Sequence, residues 1–138
     1  MLVLDTDHLT ELERSSPAGV ALKLRIENSG ETVVATIVSA EEQLRGWLAR
    51  IHATRSVHDQ LAAYVRLQLR LAFYAEWTLM PWTIGAADRF VALRKAGVRI
   101  GTMDLKIAAI TLEHGGTLLS QNLADFQRVP ELKVESWV

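Results

Sequence analysis

The chain has 138 residues, no cysteine, 49% hydrophobic residues and a formal net charge of -1. That length fits one domain with a self-sufficient core, and no apolar run approaches the ~20 residues that a membrane helix needs. The near-neutral balance excludes a globally basic nucleic-acid binder, so a polyanion site must be local or must use metal ions. The start, MLVLD, lacks the basic region, long apolar core and cleavage site of a signal peptide. A soluble, cytoplasmic, bacterial-type protein is expected.

In chain order, Leu2, Val3 and Leu4 read as a strand apolar on both faces, the pattern of a parallel strand covered by helices. Asp5 and Asp7 follow at its carboxyl end, the edge where open parallel sheets bind ligands. Thr6 or Asp7 caps a first helix to about Ser15, and Ser16-Pro17 starts a second that runs to Asn28 and stops at Ser29-Gly30. ETVVATIVS predicts a second buried strand through Val38. Ser39-Ala40-Glu41-Glu42 then has the spacing of a capping box, and a helix follows to about Ala53. A helical stripe from Val57 to about Glu76 makes this pair a hairpin. Thr78-Leu79-Met80 predicts a third strand, and a helix from about Gly85 to Lys95 ends at Gly97. Thr102 is the expected cap of a helix carrying Leu105, Ala108, Ala109 and Leu112 on one face and ending at Gly115-Gly116. Thr117–Ser120 is a buried strand, Asn122 and Asp125 have cap and third-position spacing, and KVESWV suits an edge strand. The fold class is α/β, a central parallel sheet of four to five short strands with helices on both faces.

Nearly every element start carries an acid: Asp5, Glu42, Asp104 and Asp125. Each alone has an ordinary explanation, since a carboxylate near a helix N-terminus gains about 0.3–1 kcal/mol from the dipole, and the capping box accounts for Glu42. Gathered along one sheet edge they repel, by about 4 kcal/mol for a pair ~4 Å apart at an effective dielectric of ~20. A divalent cation resolves the conflict. With oxygen ligands only, the expected ion is Mg²⁺, with Mn²⁺ as substitute, and such a site activates water for displacement at phosphorus.

The segments VLDTDHLT (3–10), TIVSAEEQLRG (36–46), IGTMDLKIAAI (100–110) and LLSQNLADFQRVPELKVESW (118–137) resemble, in order and spacing, a PIN-domain ribonuclease of the VapC type, the toxin of a type II toxin–antitoxin pair. The resemblance covers residues 1–138 as one PIN domain. It implies that Asp5, Glu42 and Asp104 hold Mg²⁺, Glu42 rather than Glu41 because the family's acid stands four residues before the glycine, here Gly46. The fourth acidic position falls in QNLADF, where this chain has Asn122 instead of Asp, with Asp125 three residues on. Asn122 offers a carbonyl but no charge, so either Asp125 supplies the acid or a second metal binds weakly. Asp7 stands where relatives often carry Asn, and orients a metal-bound water or caps the first helix. The implied reaction is attack of metal-activated water on single-stranded RNA, leaving a 5′-phosphate and a 3′-hydroxyl. The implied partners are an RNA substrate, a small cognate antitoxin and a second copy in a homodimer, with no membrane.

Ser120 and Thr6 are candidate donors near the site, and Arg45, Arg50, Arg55, Arg66 and Arg70 either guide phosphates or form a solvated helical face. The four histidines read as surface or capping residues, and Trp47 and Trp137 as core or interface. Two alternatives compete. One is a catalytically silent PIN-like binding module; the other is a haloacid-dehalogenase-type phosphatase with Asp5 as nucleophile and Asp7 as acid, a motif left incomplete because Lys106 lies inside a helix and no acidic pair follows a strand.

Overall fold

A computed structural model describes residues 1–138. The elements in order are β1 (Leu2–Leu4), α1 (Thr6–Glu13), α2 (Pro17–Ser29), β2 (Val33–Thr36), α3 (Ile37–Ala53), α4 (Leu61–Ala75), β3 (Leu79–Met80), α5 (Ile84–Lys95), α6 (Thr102–Glu113), β4 (Thr117–Leu119), α7 (Leu123–Phe126) and β5 (Lys133–Glu135). The five strands lie in the order β3-β2-β1-β4-β5, with every neighbouring pair parallel. The chain steps outward from β1 to β3, then crosses back to place β4 beside β1. The connections leaving these two central strands diverge, which opens a crevice at their carboxyl ends.

Alternation along the strands builds a core on each face. Leu2, Leu4, Ala35 and Leu119 pack with Leu9 of α1, Ala40 of α3 and Tyr74 of α4. Val3, Val34 and Leu118 pack on the opposite face with Ala86 of α5 and Leu105, Ile107, Ala108 and Ile110 of α6. Burying each Leu or Ile contributes about 1.5–3 kcal/mol, so the central strands are fixed before any polar contact is counted. The expected layering and strand number are both found.

Four expected boundaries move. β2 ends at Thr36, and Ile37 and Val38 begin α3 rather than prolonging the strand. Thr36 Oγ1 accepts the Ser39 N–H at 3.1 Å, so Thr36 is the cap and Ser39 starts no capping box. Two β-branched residues after a strand carry no periodicity that separates strand from helix, and the cap decides. α1 stops at Glu13, short of Ser15. α4 begins at Leu61, after a turn in which Gln60 Nε2 donates to the Ile51 and Thr54 carbonyls. Gly101, not Thr102, is the N-cap of α6. The α2 signals hold: Ser16 Oγ accepts from Gly19 N–H at 3.0 Å, and Gly30 closes the helix at φ 65°. No helix is long and apolar enough to cross a membrane.

Candidate active site

β1 and β4 are in register at Leu4 and Leu119, which makes Asp5 and Ser120 neighbours one step beyond the ladder. The Asp5 N–H donates to the Leu119 carbonyl at 2.9 Å. The Asp5 carboxylate accepts the Thr6 N–H on Oδ1 and the Ser120 hydroxyl on Oδ2, both at 2.8 Å. It is only 7% exposed. Burial raises its pKa to about 6; the Ser120 and Thr6 hydrogen bonds pull it down, while the charges of Asp7 and Asp104 push it up.

Asp5, and not Thr6 or Asp7, caps α1. Asp7 instead ties the two strand ends together, its Oδ2 accepting the Gln121 N–H at 2.9 Å. Its Oδ1 lies 2.6 Å from His8 Nδ1, and Trp137 N–H donates to His8 Nε2 at 3.1 Å. Because Nε2 accepts, the proton sits on Nδ1 and points at Asp7. His8 is thus a fully buried strut between α1 and the C-terminal segment, contrary to its expected surface place. Burial pushes the Asp7 carboxyl up, but the His8 and Gln121 hydrogen bonds outweigh it, and the pKa is lowered.

Asp104 lies in the first turn of α6. Asn122, at the N-cap position of α7, makes no cap bond with its side chain. Its Nδ2 donates to Asp104 Oδ2 at 3.3 Å and to Asp125 Oδ2 at 3.1 Å, while its N–H donates to Ser120 Oγ at 3.0 Å. The amide thus turns its nitrogen to both acids and bridges them. Asp104 is pushed up by burial first and then by the charge of Asp125, with the Asn122 bond opposing.

Glu42 sits in the second turn of α3, where the Thr36 cap leaves it without a capping role. The ordinary explanation of this acid therefore fails. Its pKa is pushed to about 7, by burial first and then by the charges of Asp5, Asp104 and Glu41, with Arg45 opposing. Asp5, Glu42 and Asp104 feel one another's charge, and Asp125 joins through Asp104.

The residues fit a hard divalent cation. The acids offer oxygen atoms only, and burial and mutual repulsion disfavour the free carboxylates. No three of these side chains are drawn together around one point as they stand. His8 is no ligand candidate, because both ring nitrogens are engaged.

Sequence reasoning named Ser120 only as a candidate donor and missed the His8 strut and Arg14. Arg14 lies with Arg50, Arg66 and Arg70 around a cleft that includes Glu42. No local signal reveals the long-range contacts, since Ser120 reaches Asp5 and His8 reaches Trp137 from opposite ends of the chain. His114 caps α6 as expected, its Nδ1 lying 3.0 Å from the Ile110 carbonyl.

The family model described as "PIN domain" matches residues 2–132. The chain belongs to the PIN domain family. Ribonuclease VapC1 of Rickettsia felis is 25% identical over 137 residues, covering 96% of this PIN chain and 93% of that protein. Among solved structures, DNA-bound VapBC from Salmonella typhimurium superposes with TM-score 0.74 at 18% identity, covering 99% of this chain and 98% of that one. VapBC-1 from nontypeable Haemophilus influenzae gives 0.73 at 18%, covering 99% and 97%. These structural likenesses establish a common fold.

Proposed function

We propose that this PIN-domain protein is a Mg²⁺-dependent endoribonuclease that hydrolyses phosphodiesters of single-stranded RNA, and that it is the toxin of a toxin–antitoxin pair. The carrying observation is that Asp5, Glu42 and Asp104 lie near enough at the switch point for Glu42 to feel the charges of Asp5 and Asp104 and for Asp5 to feel that of Asp104, with each carboxyl pushed up first by burial. Similarity to a protein named Ribonuclease VapC1 supports the activity, and likeness to structures named VapBC supports an antitoxin partner.

Asp5, Asp104 and Glu42 would hold the ion. When bound, Mg²⁺ supplies charge stabilisation at a phosphate oxygen and acidifies water at neutral pH. The chain supplies the rest. Ser120 and Thr6 fix both oxygens of Asp5 before any ligand arrives, which removes reorganisation from the reaction. Asn122 bridges Asp104 and Asp125 without adding negative charge to a crowded corner. Loading the crevice must expel the protons retained by Asp5 and Glu42, so ion affinity rises with pH through about 6 to 7. Asp125 acts through Asp104 in this scheme.

A homodimer is proposed through α4, whose Leu61, Val65 and Leu69 form an exposed apolar stripe. The phosphatase alternative has lost its acid, because Asp7 is engaged by Gln121 and His8.

The test is cleavage of a labelled single-stranded RNA by purified, antitoxin-free protein with Mg²⁺ or Mn²⁺, beside EDTA and Asp104→Asn. Metal-dependent cutting that the variant loses is the expected outcome. A well-folded protein that cuts no member of a varied RNA pool would favour the silent binding module.

A further inference from the structure

Beside the carboxylates the surface changes sign. A cleft of about 570 Å³ opens between α1, α3 and α4, and Glu42 belongs both to its wall and to the acidic crevice. Of its 10 lining residues four are arginines, Arg14, Arg50, Arg66 and Arg70, against the two acids Glu13 and Glu42. Arg70 is held by Glu13, and Arg14 pairs with Glu11 at 3.2 Å. Arg50 and Arg66 have no carboxylate partner among the ion pairs of the protein. In a chain of net charge -1, these two cations are concentrated where a polyanion leaving the crevice would pass.

Two further features point to a ligand rather than to a solvated face. Trp47 is the only apolar side chain in the lining and belongs to neither core cluster; the Arg50 guanidinium lies over its ring, 4.7 Å from the centroid. Gly46 interrupts the middle of the 17-residue helix α3, at a cost of about 1 kcal/mol relative to Ala. No packing requires it, since a Cβ there would meet nothing within 4 Å. The glycine leaves the cleft floor open to close approach by another molecule. An aromatic ring and a guanidinium stacked as one ledge, with a bare backbone beside it, suit an unpaired base and its flanking phosphate. A lining with a single apolar residue is a poor seat for a peptide helix.

We propose that this cleft is a nucleotide subsite, in which a base of the RNA strand stacks on the Trp47–Arg50 ledge and Arg50 and Arg66 meet a phosphate next to the one at the carboxylates. The assignment rests on the nuclease reading of the crevice. The subsite orients the strand across Glu42 and favours unpaired RNA, because a base in a duplex cannot reach the ledge.

The experiment measures fluorescence anisotropy of a labelled single-stranded RNA on full-length protein, in an Asp104→Asn background that keeps the RNA intact, with circular dichroism of each variant. The Arg50→Gln/Arg66→Gln double variant should weaken binding about ten- to a hundredfold and reduce the slope of log affinity against log salt by about 1. Trp47→Leu and Gly46→Leu should each weaken it roughly tenfold, the latter while raising helix propensity and keeping the fold. Arg55→Gln, in the exposed turn outside the cleft, should change it by less than about twofold. Cleft variants that bind RNA as tightly as the parent, or Arg55→Gln weakening as much as the double variant, would overturn the subsite. Variants that keep RNA binding but lose a copurifying antitoxin would also overturn it and assign the cleft to the protein partner. The two readings separate cleanly: a wild-type chain that binds RNA through the cleft yet cuts nothing leaves the subsite standing and rejects the nuclease. Metal-dependent cutting with cleft-independent binding does the reverse.

Discussion

At one end of the acidic crevice, Asp5 is held at 2.8 Å by a backbone amide and at 2.8 Å by Ser120 from the adjoining strand; at the other, Asp104 and Asp125 stand on two separate helices and share one amide, Asn122. The first end inherits its geometry from the strand ladder, so its precision comes with the core. The second depends on a side chain whose loss would release both acids. Rigidity at the β1 end and adjustability at the α6–α7 end are what the proposed nuclease reading asks for, a fixed anchor for an ion beside a corner that can yield to a substrate phosphate.

The sharpest way to break this comparison is to neutralise the rigid end. Asp5→Asn keeps an acceptor for Thr6 N–H, so the fold should persist, but the charge proposed to anchor the ion is gone. Several kcal/mol of transition-state stabilisation should disappear, a loss of roughly a thousandfold in single-turnover RNA cleavage. Activity within tenfold of wild type would mean that the rigid end is structural and the chemistry lies elsewhere.

Ser120→Ala probes the anchor rather than the charge. It leaves Asp5 Oδ2 buried without a donor and removes a bond that lowers the Asp5 pKa, so Asp5 should titrate still higher than about 6. Cleavage should fall about ten- to a hundredfold, more at low pH than at high pH, and Ser120→Thr should restore most of it. A pH-independent loss that Thr does not rescue would mark Ser120 as packing alone.

Much of this contrast was legible in the sequence, and the missing part has a common cause. The runs LVL, VVATIV and TLLS predict buried parallel strands, and the acids that follow them mark the crevice, because strand ends and helix starts are local features. What joins the acids is long-range. Ser120 reaches Asp5 across 115 positions and Gln121 reaches Asp7 across 114, separations that no window of sequence contains. The capping box expected at Ser39 and Glu42 fails for a local reason: the spacing is right, but Thr36 lies at the sheet edge and captures the Ser39 N–H first. His8 was misplaced because its partner, Trp137, comes from the last residues of the chain.

The adjustable end is sharpened by Asn122→Asp, which replaces a bridging donor with a third acid beside Asp104 and Asp125. Without metal the three should splay, and the protein should lose stability by about 1 kcal/mol, well below the ~4 kcal/mol of a close unscreened pair. With metal the added charge should raise Mn²⁺ affinity about tenfold by calorimetry. Unchanged affinity would show that this corner does not face the ion.

The smallest effect is a pH dependence of stability in EDTA. The Asp5 carboxyl stands at about 6 and that of Glu42 at about 7, against ordinary values of 3.8 and 4.5, and Asp104 is raised as well. The folded chain therefore keeps protons that the unfolded chain has released. Stability is fullest below the ordinary values and is lost as pH rises through 6 and 7. Asp7 runs the other way, but its lowered carboxyl titrates below 3.8 and leaves this window untouched. Glu42 is half-exposed and screened, so most of the effect belongs to Asp5. Tm should fall by a few degrees between pH ~5 and ~7.5, on a scale of roughly 4 °C per kcal/mol. Asp5→Asn should flatten the fall and saturating Mn²⁺ should reverse it, because the ion favours the ionised acids. A Tm that climbs across the interval without metal would mean that the rigid end is not strained by its own charge, and the difference between the two ends would then be one of anchoring alone.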